Sequence, residues 1–221
     1  MLLASGEVVT VGSKNVKDSS GLSLKNLIIG SEGTLAVITK CTLKLLPLPE
    51  ATRSAILPYP ILSMGIQSML RILHENISPT AVEFIDRSVV KLGEDYSSLR
   101  FPFPNAGAYL LLTFDGDESE LKEKVDRLKI AAHKYGALDF LKLDENPSAD
   151  VWKIRGGLVK AVEAVSEQEP INIVVPIDKT ADFLSFVHVF EKQCGMQMVG
   201  FGHAGDGNVH LSVNALWTIS Q

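Results

Sequence analysis

The apolar positions change rhythm along this chain. Over roughly the first 50 residues they alternate loosely and are broken by turns. Glu7–Val11 predicts a short strand after the turn Ser5-Gly6. Asn26–Ile29 predicts a second short strand, ahead of a glycine turn at Gly30-Ser31-Glu32-Gly33. Leu35–Leu46 is rich in Val, Ile and Thr and predicts a long strand. The run Pro47-Leu48-Pro49-Glu50 ends this pattern and sets a domain boundary, giving domains at 1–50 and 51–221.

Beyond the boundary the rhythm becomes strand, helix, strand. Ser54–Leu57, Ala81–Ile85, Ala108–Phe114, Leu138–Leu143 and Ile171–Val175 predict strands. Between them Leu62, Ile66, Met69, Leu70 and Leu73 recur at helical spacing, as do Leu121, Val125, Leu128, Ala132 and Tyr135. Asp117, Glu118 and Glu120 stand where the dipole of that second helix favours anions. Val151, Leu158, Val162 and Val165 mark a third helix, and Phe183–Phe190 a fourth, whose phenylalanines read as core. Met196–Phe201 and Val209–Val213 close as a hairpin. A weak repeat of the unit runs over 53–85 and 107–143. The pattern predicts an α+β class, with helices on one face of a mainly antiparallel sheet.

Composition narrows the function classes. Net charge is −5, and the 21 basic residues form no dense run, so the electrostatic footprint of a nucleic-acid binder is missing. No apolar run reaches the about 18 residues that span a bilayer. Two cysteines far apart, Cys41 and Cys194, form neither a disulfide framework nor a zinc-finger spacing, and predict a reducing, cytoplasmic setting. Residue 1 falls directly into a hairpin pattern and the chain stops soon after a histidine-rich loop. A chain incomplete at both ends, inactive by itself and able to self-associate through unpaired strand edges, is the expectation.

The densest chemistry is Gly202-His203-Ala204-Gly205-Asp206-Gly207-Asn208-Val209-His210. If 204–209 connects two strands, His203 and His210 flank its mouth and face one another. Two neutral imidazoles so placed share one divalent ion such as Zn, Mn or Fe, with Asp206 as a third ligand or as a group orienting an imidazole. The same run is also compatible with an ordinary glycine hairpin carrying incidental polar residues. The turn Gly30–Thr34 offers backbone N–H groups to anionic or carbonyl groups of a cofactor, or is plain turn chemistry. Arg155 lies off the apolar stripe of its helix; it is either the bidentate anchor of a carboxylate or a solvated surface charge. His74, His133 and His188 have no evident partners in the pattern.

Leu24–Thr39, ending in Leu43-Lys44-Leu45-Leu46-Pro47-Leu48-Pro49, closely resembles the end of the FAD-binding domain of FAD-linked oxidases of the vanillyl-alcohol oxidase type. Val82-Glu83-Phe84-Ile85-Asp86, Val174-Val175-Pro176 and His203–His210 are similar to that family's C-terminal domain, in the expected order. The resemblance implies a remnant of an FAD-binding domain over 1–50, then a ferredoxin-like antiparallel-sheet domain over 51–221. It implies FAD contacts from Gly30, Ser31, Glu32, Gly33, Thr34 and Ile38, with Asn208 near the flavin ring and substrate. Arg155 would hold the carboxylate of a small 2-hydroxy acid such as glycolate or D-lactate. His203 and His210 would bind a divalent metal or act on the substrate hydroxyl, and an electron-acceptor protein or subunit would reoxidise the flavin. The competing reading is a non-enzymatic α+β module that binds a metal or small ligand.

Overall fold

A computed structural model describes residues 1–19, 21–143, 145–165, 168–195, 197–203 and 205–214. The chain divides into two compact units, Met1–Leu48 and Pro49–Gln221, and the division falls inside the Pro47–Glu50 break.

The first unit is thinly structured. Strand β1 (Leu2–Leu3) pairs antiparallel with β2 (Ala36–Val37). Two strand expectations shrink here. Of Glu7–Val11 only Val8 pairs, through an isolated bridge to Leu2, and of Leu35–Leu46 only Ala36 and Val37 are strand. A ladder extends only as far as its partner, and β1 offers two residues. The segment expected as a strand over 26–29 is instead the end of helix α1 (Leu24–Ile28). Ala36 is the sole fully buried residue among the described residues of this unit.

The second unit is built on one seven-stranded antiparallel sheet in the order β6-β3-β5-β4-β8-β9-β7. Its strands are β3 (Ala51–Tyr59), β4 (Ala81–Asp86), β5 (Ala108–Gly116), β6 (Leu141–Leu143), β7 (Gln168–Val174), β8 (Gln197–His203) and β9 (Asn208–Asn214). Its helices are α2 (Leu62–Leu73), α3 (Arg87–Ser97), α4 (Glu118–Lys134), α5 (Glu145–Glu163) and α6 (Thr180–Cys194).

Strand residues alternate between two cores, and this corrects the expectation of helices on one face. Leu57, Phe84, Leu110 and Leu112 pack with Ile66 and Met69 of α2, Leu121 and Leu128 of α4, and Leu184 of α6. On the other face Ile56, Ile85, Tyr109, Leu111 and Phe201 pack with Val89 and Val90 of α3 and with Ile154, Leu158 and Val162 of α5. Strands with both faces apolar need two covers. Helix α3 is absent from the sequence reading because its apolar positions are few; its close contact with α5 depends on Gly93, where a Cβ would stand 2.8 Å from Leu158 and 2.9 Å from Ile154. In α6, Leu184 and Val187 are buried. Phe186 and Phe190, read as core, stack at 6.0 Å in solvent, since the helix buries a single stripe.

Candidate functional site

The second face changes character along the sheet. From β6 to β8 it is apolar and covered by α3 and α5. Towards β9 and β7 it becomes polar. Strand register explains which side chains meet there, because directly paired residues of an antiparallel sheet share a face. Glu83 pairs with His203, and His203 with Asn208. In the next row Ile85 pairs with Phe201, Phe201 with His210, and His210 with Asn172. His203 and His210 are therefore diagonal neighbours, with ring centroids 5.2 Å apart and planes at 85°.

Arg155 reaches this cluster from α5. Its Nη2 donates to Glu83 Oε2 at 2.8 Å, and its guanidinium lies over the Phe201 ring, 5.3 Å from the centroid. The other Glu83 oxygen, Oε1, lies 2.8 Å from His203 Nδ1. So the structure brings Arg155, His203, His210 and Asn208 together. It adds Glu83, a residue the sequence reading did not single out. The signal was available: a carboxylate within the apolar strand Ala81–Asp86 needs a partner once buried. Its side chain is 10% exposed.

Two buried polar atoms here lack hydrogen-bond partners among the described residues: Arg155 Nε, a donor, and Asn208 Oδ1, an acceptor. Buried polar groups are ordinarily satisfied, and exceptions in a cluster of charged and imidazole groups mark a place where a ligand can bind. Burial pushes the His210 imidazole below its usual range, and the neighbouring His203 and Arg155 side chains push the same way, against Glu83 and Asp206. The neutral form of His210 is thus favoured.

The metal expectation gains no support among the described residues. Among the described residues no group of three or more His, Cys, Asp or Glu side chains could hold an ion. His203 spends Nδ1 on Glu83, and Asp206 turns back to accept from the Asn208 N–H at 3.0 Å rather than facing the imidazoles. Two imidazoles alone are too small a donor set.

In the first unit the turn Gly30–Thr34 is exposed apart from the half-buried Ser31. Gly30, Glu32 and Gly33 all adopt positive φ, which suits glycine and strains Glu32. The Ser31 and Thr34 N–H groups are used inside the turn, and Thr34 Oγ1 donates to the Ser31 carbonyl. Those of Gly30, Glu32 and Gly33 take no partner among the described residues, and a Cβ at Gly30 or Gly33 would meet nothing within 4 Å. An open row of N–H groups of this kind fits a phosphate or ring carbonyls. Ile38 follows β2 and is exposed. A cleft of about 470 Å³ lies elsewhere, between the start of α2 and α6, and contains none of these residues. Its main polar groups are already paired: Asp86 caps Ser88, and Glu191 holds both His188 and the Met198 N–H.

Fold and cluster together define an α+β domain that presents a guanidinium, a carboxylate and two imidazoles on one sheet face. The chain belongs to the FAD-linked oxidases, whose C-terminal domain, described as "FAD linked oxidases, C-terminal domain", matches residues 48–215. It is 37% identical to the D-lactate dehydrogenase of Anaerostipes hadrus over 96% of this chain and 46% of that protein. It is 28% identical to the glycolate oxidase subunit GlcD of Bacillus subtilis over 95% of this chain and 45% of that protein. The chain spans about half the length of the curated relatives it matches. Among solved structures, p-cresol methylhydroxylase shares the fold at TM-score 0.71 and 10% identity, covering 96% of this chain and 49% of that one. The 4-ethylphenol oxidase from Gulosibacter chungangensis shares it at TM-score 0.65 and 13% identity, covering 96% of this chain and 50% of that one. The family implies FAD. No helix among the described residues is long and apolar enough to cross a membrane.

Proposed function

We propose that this chain is part of a flavin-dependent dehydrogenase that oxidises a small 2-hydroxy acid, glycolate or D-lactate, to the 2-oxo acid. The observation that carries this reading is the pair of orphaned buried atoms of opposite type beside two imidazoles. A 2-hydroxy acid has the matching groups. Its carboxylate accepts from Arg155, whose Nε–H takes no partner among the described residues, and its hydroxyl donates to Asn208 Oδ1 or an imidazole. Likeness to proteins named D-lactate dehydrogenase and glycolate oxidase subunit supports the same substrate class.

Bound flavin supplies the two-electron acceptor for the C2 hydrogen. The protein supplies position and the proton path. Arg155 fixes the carboxylate, and an imidazole takes the hydroxyl proton as the carbonyl forms. Cofactor contacts fall to the free N–H groups of Gly30, Glu32 and Gly33 and to the Ser31, Thr34 and Ile38 side chains. The proposal includes reoxidation by an acceptor protein or subunit, association with further copies of the chain, and a cytoplasmic setting, which suits two exposed free cysteines.

The test is anaerobic addition of glycolate and of D-lactate to the flavin-loaded protein. Bleaching of the flavin absorbance by either acid is expected. Arg155→Ala lowers kcat/KM by about 100-fold, the equivalent of roughly 2–3 kcal/mol for one lost charge-assisted contact. Flavin left oxidised by both acids overturns the proposal.

A further inference from the structure

We propose that Glu83 is the positioning residue of this site: one carboxylate holds Arg155 and at the same time dictates which nitrogen of His203 carries the proton. This rests on the reading above for its catalytic meaning, and on geometry for its substance.

Glu83 sits mid-strand in β4, directly paired with His203 of β8, so backbone register delivers the carboxylate to the imidazole. Its Oε1 is 2.8 Å from His203 Nδ1, and its Oε2 accepts from Arg155 Nη2 at 2.8 Å. An ionised carboxylate only accepts hydrogen bonds. His203 Nδ1 must therefore be the protonated nitrogen, and in the neutral ring Nε2 is left with the lone pair. Nε2 is the far edge of the imidazole from Glu83, and the side chain is 40% exposed. Among the described residues His210 has no comparable orienting partner: its ring and that of His203 are nearly perpendicular, and Phe201 lies at 5.6 Å. Of the two imidazoles, His203 is thus the one whose tautomer a carboxylate sets.

The same carboxylate orders the anchor. With Nη2 held by Glu83 and the guanidinium over the Phe201 ring, the orientation of Arg155 is fixed. Glu83 makes both contacts while nearly buried, which is why neither partner can turn away without stranding a charge.

The experiment is long-range ¹H–¹⁵N correlation on the chain labelled at histidine, at a pH where the imidazoles are neutral. It needs neither flavin nor substrate. In the wild type His203 is expected to show a protonated-type Nδ1 and an unprotonated-type Nε2. Glu83→Gln keeps this tautomer, because the amide oxygen still accepts from Nδ1–H, but turns an NH2 group towards Arg155. Glu83→Leu reverses it to the Nε2–H form usual for a solvated imidazole. A wild-type His203 protonated on Nε2, or a Glu83→Leu protein that keeps Nδ1–H, overturns the proposal. If Glu83→Leu does not fold, the wild-type spectrum and Glu83→Gln still decide it. In the flavin-loaded protein Glu83→Gln raises KM more than it lowers kcat, whereas equal losses in both variants count against separate holding of Arg155 and His203. Absent turnover with the wild-type tautomer as expected sinks the substrate reading and leaves this one standing.

Discussion

Gly207 closes the histidine hairpin because it has no side chain. Its φ is +78°, and a Cβ there would lie 2.0 Å from the Val175 carbonyl oxygen, while the Val175 N–H donates to its own carbonyl at 3.1 Å. Gly207→Ala meets both backbone strain and a clash with main chain, which cannot swing aside. A loss of about 2 kcal/mol or more in denaturant unfolding is expected. A change within experimental error would show that the hairpin relaxes. His210 titrates at the same scale. Its neutral form is favoured in the fold, so between its lowered pKa and the usual 6.5 the unfolded chain binds more protons than the folded one. Stability therefore rises with pH through that window, and this contribution is complete above it. His210→Gln is expected to flatten that part of the stability-versus-pH curve. An unchanged slope would assign it to another group.

Among the elements, α3 shows how a buried charge holds secondary structure together rather than performing chemistry. Glu94 is 2% exposed; its Oε2 accepts from Arg87 Nη2 at 2.7 Å and its Oε1 from the Phe101 N–H at 2.7 Å. The carboxylate thus ties the start of α3 to the segment leading into β5. Glu94→Ala strands a guanidinium and an amide, and a loss of about 3 kcal/mol is expected by urea denaturation. The Arg53–Glu118 bridge joining β3 to α4 is of similar length, 2.6 Å, but its side chains are 33% and 59% exposed. Glu118→Ala is expected to cost under about 1 kcal/mol in the same assay, because solvent screens the pair. Comparable losses in the two variants would mean that burial does not set the difference.

At the scale of the whole molecule the two units differ in what they bury. The second has a core on each face of its sheet, whereas the first buries Ala36 and leaves Val16, Leu22, Leu45 and Leu48 almost fully in solvent. Few buried contacts mean low local stability. Amides of residues 1–48 are expected to exchange far faster than those of β3, β4 and β5 in hydrogen-exchange mass spectrometry. Saturating FAD is expected to slow exchange over residues 27–38, since a ligand stabilises the segment it binds. Equal protection in the two units, or no response to FAD at the glycine turn, contradicts this division of labour.

The sequence by itself determined the element order of the second unit. Period-2 and period-3.6 apolar patterns are local, and β3, α2, β4, β5, α4, α5, β7, α6 and the β8–β9 hairpin follow from them. The break at Pro47–Glu50 and the chemical richness of His203–His210 were equally legible, because proline, glycine and histidine carry their meaning in their own covalent structure. Tertiary structure alone decided the rest. Whether Leu35–Leu46 became a strand depended on a partner, and β1 supplies only two residues. Helix α3 depended on the close approach of α5 over Gly93. Glu83 met His203 across 120 residues only because β4 and β8, distant in sequence, pair in one register. Long-range pairing depends on the energy of the assembled sheet, and no local pattern of side chains encodes it.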